Sequence, residues 1–96
     1  MRVKWARLAL VDLIAAQDHI ATENPDAARR IAARIHEATR RLGDYPLIGR
    51  VGDDPDTREW PVRRTPYLVV YEIRDDAIEI LRVWHMRRDR TRTDEG

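Results

Sequence analysis

Between Asn24 and Gly43 the apolar residues Ala28, Ile31, Ile35, Ala38 and Leu42 recur at intervals of three and four, which is one buried stripe of a helix. Asn24 followed by Pro25 supplies an N-cap and a first helical position with no N–H to satisfy. Gly43 stands where a left-handed C-terminal cap is expected. A second helical pattern precedes this one, from Arg7 to about Thr22, with Leu10, Leu13, Ile14 and Ile20 as its apolar stripe and Asp12, His19 and Glu23 off it. So short a connection between two amphipathic helices predicts an antiparallel hairpin whose shared apolar side must cover something.

The rest of the chain offers that something. Val3 to Trp5 reads as a brief opening strand. Residues 44–56 hold Pro46, Gly49, Gly52, Pro55 and four aspartates, and read as a loop. Thr57 to Arg63 is extended, although Pro61 removes a ladder donor and points to an edge or a bulge. Tyr67 to Ile73 and Ile78 to Trp84 are β-branched and aromatic, separated by an Asp75-Asp76 turn, and predict a hairpin of two long central strands. The expected architecture is α+β in the order β-α-α-β-β-β: a small antiparallel sheet packed on one side by the helical hairpin. One domain covers residues 1–89, and the polar remainder, 90–96, reads as a frayed tail.

At 96 residues and without cysteine, the chain excludes a disulfide framework, a cysteine zinc site and a thiol nucleophile. It has no apolar run long enough for a membrane span and no signal-like start, so it reads as cytoplasmic with no membrane partner. Its 18 basic and 17 acidic side chains leave a net charge of +1, so bulk charge names no partner. Every basic residue other than Lys4 is arginine, the better side chain for bidentate pairing with phosphate or carboxylate. Asp53-Asp54-Pro55-Asp56 lacks the spacing of a calcium loop, and His19 and His36 lack acidic partners at metal-ligand spacing. No cofactor is expected.

Several runs occur in an order that resembles a known family. They are Ala9-Leu10-Val11-Asp12-Leu13, Asn24-Pro25-Asp26-Ala27-Ala28, and Leu42-Gly43-Asp44-Tyr45-Pro46-Leu47-Ile48-Gly49-Arg50. Thr57-Arg58-Glu59, Thr65-Pro66-Tyr67-Leu68-Val69-Val70-Tyr71 and Ile80-Leu81-Arg82-Val83-Trp84-His85-Met86-Arg87-Arg88-Asp89 follow. Together they resemble the RelE/ParE toxins of bacterial type II toxin–antitoxin systems, and more closely the ParE branch. The resemblance implies a toxin held inactive by a cognate antitoxin, with no sequence-specific DNA reading by this chain. ParE-like members bind and poison DNA gyrase, whereas RelE-like members cut messenger RNA on the ribosome.

Two features favour the gyrase reading. The segment after the second helix sets one arginine against four aspartates, which repels a phosphate backbone there, and a net charge near zero suits ribosome docking poorly. On that reading the target contacts are Trp84, His85, Arg87, Arg88 and Arg90, anchor-type side chains near the end of the chain. The alternative is a ribosome-dependent endoribonuclease in which His85 handles protons and Arg58, Arg64 and Arg87 carry the phosphate charge. A structural role for His85, packed at a strand end against Trp84 or Tyr67, competes with both. Unpaired edges also favour an antitoxin that adds a helix or strand.

Overall fold

The computed structural model describes residues 1–88, so Arg90 and the tail lie outside the described residues. The chain runs β1 (Arg2–Trp5), α1 (Arg7–Ala21), α2 (Pro25–Asp44), β2 (Arg50–Val51), β3 (Arg58–Pro61), β4 (Tyr67–Arg74) and β5 (Ala77–His85). These strands form one sheet in the order β1-β5-β4-β3-β2. The expected α+β class holds, with two refinements. β1 pairs with β5 in parallel, because a helical hairpin rather than a tight turn returns the chain to the sheet. A two-residue strand, β2, lies within what reads as pure loop, pairing Arg50 with Glu59 and Val51 with Arg58. Pro61 lies at the last position of β3, beyond the reach of β2, so its missing N–H costs no ladder bond.

The core lies between the sheet and the helices. Ile35 and Leu42 from α2, Val69 and Tyr71 from β4, and Ile78 and Ile80 from β5 are its fully buried large side chains. Each aliphatic member stabilises the fold by about 1.5–3 kcal/mol relative to exposure. Asn24 caps α2 as its sequence implies, its Oδ1 accepting from the Ala27 N–H at 3.1 Å.

Two expectations about the helices are corrected. Gly43 lies within α2, no glycine among the described residues has a positive φ, and the helix runs on to Asp44 with Tyr45 as its C-cap. The reason for glycine is crowding: a Cβ there would lie 2.8 Å from the Met1 carbonyl oxygen and 3.1 Å from Val3 Cγ2. The Met1 amino group closes the same contact, donating to the Gly43 carbonyl at 2.8 Å. In α1 the buried side is Ala9, Leu13 and Ala16, while Leu10 and Ile14 are exposed. Small alanines let α1 approach the sheet closely, which turns the larger members of the presumed stripe outward.

A bulge between Val70 and Tyr71 shifts the β4–β5 register by one residue. Tyr67, Val69 and Tyr71 face the helices. Leu68 and Val70 are buried on the opposite face, where Trp84 lies directly across from Leu68.

Candidate target-contact site

The expected contact residues that are described, Trp84, His85, Arg87 and Arg88, cluster at one end of the sheet without forming a single surface. Trp84 and His85 are consecutive on β5 and therefore point to opposite faces. Trp84 is half-buried on the face away from the helices, with the Arg82 guanidinium 5.5 Å from its ring centroid. His85 pairs with Tyr67 across the ladder, their rings 5.4 Å apart and nearly perpendicular. Its Nδ1 accepts from the backbone N–H groups of Arg87 (3.2 Å) and Arg88 (3.3 Å), capping the turn that leaves the strand. A ring whose Nδ1 accepts carries its proton on Nε2 when neutral. Met86 N–H donates to the Pro66 carbonyl at 2.8 Å, so this end of β5 is tied to the β3–β4 turn. Arg87 and Arg88 are exposed beyond it.

The residues named for RNA cleavage do not all converge. Arg58 is paired with Tyr71, whereas His85 is paired with Tyr67. That separation is four residues, about 13 Å along β4. Arg58 is also engaged elsewhere, its Nη1 donating to the Gly49 carbonyl at 2.7 Å. Arg64 does lie at the His85 end of the sheet, in the β3–β4 turn.

Two residues that sequence reasoning set aside belong here. Asp12, half-buried, accepts from Arg82 Nε at 2.8 Å and Nη2 at 3.1 Å, and from the Val83 N–H at 2.9 Å. It thereby satisfies the edge of β5 beyond the end of β1 and fixes α1 against the strand. His19 is two turns further along the same side of α1. A cleft of about 350 Å³ is lined by Asp12, Ala16, His19, Tyr67, Arg82 and Arg88. It adjoins a second of about 270 Å³, where His19, Ile20 and Ile31 meet Pro66, Tyr67 and His85. The seven-residue spacing of Asp12 and His19 was the available signal, but the partners of Asp12 come from a strand some seventy residues away. Among the described residues no group of three or more histidine, aspartate or glutamate side chains could hold a metal ion.

At the other end of the sheet the Tyr71 phenol, fully buried, donates to the Pro46 carbonyl at 2.7 Å and accepts from the Gly49 N–H at 2.9 Å. Burial pushes its pKa above the ordinary tyrosine value, partly offset by the Gly49 hydrogen bond and the Arg58 charge. One hydroxyl thus holds the connection between α2 and β2.

A helical hairpin on a mostly antiparallel five-stranded sheet is the fold of the RelE/ParE superfamily of toxins. The description "ParE toxin of type II toxin-antitoxin system, parDE" matches residues 3–90, and the chain belongs to that family. A protein of Sinorhizobium fredii named "Putative toxin Y4kP" is 40 % identical over 84 residues, covering 88 % of this chain and 86 % of its own. Toxin RelE2 of Caulobacter vibrioides is 37 % identical over 87 residues, covering 91 % and 97 %. A solved structure of the chromosomal ParDE system from P. aeruginosa superposes with a TM-score of 0.83 at 28 % identity, covering 91 % of this chain and 97 % of that one. The chain is therefore a type II toxin.

Proposed function

We propose that this toxin acts by binding DNA gyrase, not by cutting RNA, and that a cognate antitoxin neutralises it. The observation that supports a binding mode is the state of His85. General-base removal of a 2′-hydroxyl proton needs a free imidazole lone pair, and here Nδ1 accepts from two backbone amides, which in the neutral ring leaves the proton on Nε2. The separation of Arg58 from this end of the sheet adds to that argument. Trp84, Arg87 and Arg88 then serve as contact residues, the tryptophan as an apolar anchor and the arginines as cations for an acidic surface.

The antitoxin finds a surface of its own on α1, where Leu8, Leu10, Val11 and Ile14 are 44–57 % exposed. A lone soluble domain rarely leaves such a strip uncovered, and an amphipathic segment fits it.

The deciding experiment is a supercoiling assay with purified toxin, with and without antitoxin, run alongside ribosome-dependent mRNA cleavage. His85→Asn is the informative variant, because asparagine Oδ1 can replace Nδ1 as acceptor but cannot act as a base. We expect inhibition of gyrase that antitoxin reverses, retained in His85→Asn within a few-fold. Cleavage of mRNA by the wild type, lost about 100-fold or more in His85→Asn, would overturn the proposal.

A further inference from the structure

The β3–β4 turn carries an arginine where the backbone favours glycine. Thr65 N–H and Oγ1–H both donate to the Val62 carbonyl, at 3.2 and 2.9 Å, and Tyr67 N–H donates to Thr65 Oγ1 at 3.1 Å. This closed turn holds Arg64 at φ 62°, in the left-handed region. An ordinary side chain there costs about 1 kcal/mol or more. Asparagine or glycine would relieve the strain, so the guanidinium is what the position gains.

That guanidinium has company. Arg34 Nη1 donates to the Arg64 carbonyl at 3.3 Å, which ties the turn to α2. Arg30 stands one helical turn before Arg34, about 6 Å along the axis. Arg63 is exposed beside Arg64. The remaining arginines of α2 are engaged elsewhere: Arg29 with Asp26, Arg40 with Glu37 and Asp44, and Arg41 over the Tyr45 ring. Among the described residues, no carboxylate forms an ion pair with Arg30, Arg34, Arg63 or Arg64.

We propose that these four arginines bind the phosphate backbone of duplex DNA. Guanidinium forks match phosphate oxygens bidentately, and the Arg34 bond to the Arg64 carbonyl holds the turn that carries Arg63 and Arg64 against the helix that carries Arg30 and Arg34. Backbone contacts carry no sequence information, so the site positions the toxin on DNA without reading bases. The inference is independent of the gyrase reading, since it is measured on DNA with no enzyme present.

The test is anisotropy of a labelled 20-base-pair duplex titrated with the full-length, antitoxin-free toxin at several salt concentrations. Each phosphate neutralised contributes about 0.9 to the slope of log affinity against log salt, so four arginines give a slope of about 3 to 4. Arg30→Gln, Arg34→Gln, Arg63→Gln and Arg64→Gln combined should reduce the slope below about 1. Arg29→Gln with Arg40→Gln removes two cations outside the cluster and should leave it within about 0.5 of wild type. Arg64→Gly guards against misfolding, since it relaxes the backbone: it should melt no lower than wild type yet lose about one unit of slope. The proposal is overturned by absence of binding at low salt, by an equal loss in the Arg29/Arg40 control, or by an unchanged slope in Arg64→Gly. Capture of polyglutamate or single-stranded RNA without the duplex overturns it as well.

Discussion

Removing one oxygen atom, in Tyr71→Phe, tests whether a single phenol holds the connection between α2 and β2. The phenyl ring still fills the same core space, so the packing contribution is preserved and the change isolates two hydrogen bonds. Their partners are the Pro46 carbonyl at 2.7 Å and the Gly49 N–H at 2.9 Å. Each bond contributes about 1 kcal/mol net, and the buried Gly49 N–H left without an acceptor raises the total to about 2–3 kcal/mol. In a domain of this size that lowers Tm by roughly 8–20 °C. Thermal unfolding followed by circular dichroism measures it, with exposed Tyr45→Phe as the control, expected within about 0.5 kcal/mol of wild type. The pH dependence gives a second reading. Because the folded pKa of Tyr71 is raised, the neutral phenol's contribution is complete below the ordinary value of about 10 and is lost as pH rises through the folded value. The gap between wild type and Tyr71→Phe is therefore constant below about pH 10 and narrows above it. A drop of less than about 3 °C at neutral pH would refute the reasoning, because it would mean that the loop holds its place without the phenol.

Three further outcomes follow from contacts already described. Asp12→Ala removes the acceptor shared by Arg82 and the Val83 N–H, and urea unfolding should show a loss of about 2 kcal/mol, moderated by the partial exposure of Arg82. Gly43→Ala should destabilise by about 1–3 kcal/mol although alanine is the better helix former, because its Cβ meets the Met1 carbonyl at 2.8 Å; a rise in Tm would show that β1 yields. Arg87→Ala with Arg88→Ala should relieve growth inhibition while leaving antitoxin binding unchanged, and killing at the wild-type level would remove these residues from the target contact.

The sequence carried the local decisions well. Asn24-Pro25 started α2 where it starts, and Asp75-Asp76 made a two-residue turn with Asp75 at φ 52°, a conformation that aspartate tolerates. Long-range proximity was not legible. Gly43 looked like a cap because a cap needs glycine, yet the actual demand comes from Met1 and Val3, forty or more residues away in the chain. Leu10 and Ile14 looked buried because they are large, but Ala9 and Ala16 won the interface by allowing closer approach to the sheet. At the candidate site, His85 and the arginines were visible by type. What the histidine does was not, since its state depends on two amides of the turn that follows.

The outward turn of α1 is the point where the fold and the proposed neutralisation can be tested together. Leu10, Val11 and Ile14 lie on one side of the helix with Leu8 adjacent, each about half exposed. Completing the burial of one such side chain against a partner is worth about 1 kcal/mol, half the full value for a leucine or isoleucine. Replacing Leu10 and Ile14 with aspartate loses that gain twice and desolvates two unpaired carboxylates, so antitoxin affinity should fall by at least about 100-fold. The free toxin should keep its Tm within a few degrees, because neither side chain contributes to the core. Affinity is measured by isothermal titration with the antitoxin, and stability by the same thermal unfolding as above. If binding persists at wild-type strength while the fold is intact, the antitoxin uses another surface and the exposed strip needs a different occupant. If both affinity and Tm fall, the strip is part of the toxin's own packing, and the alanine-faced arrangement of α1 would have to be reconsidered.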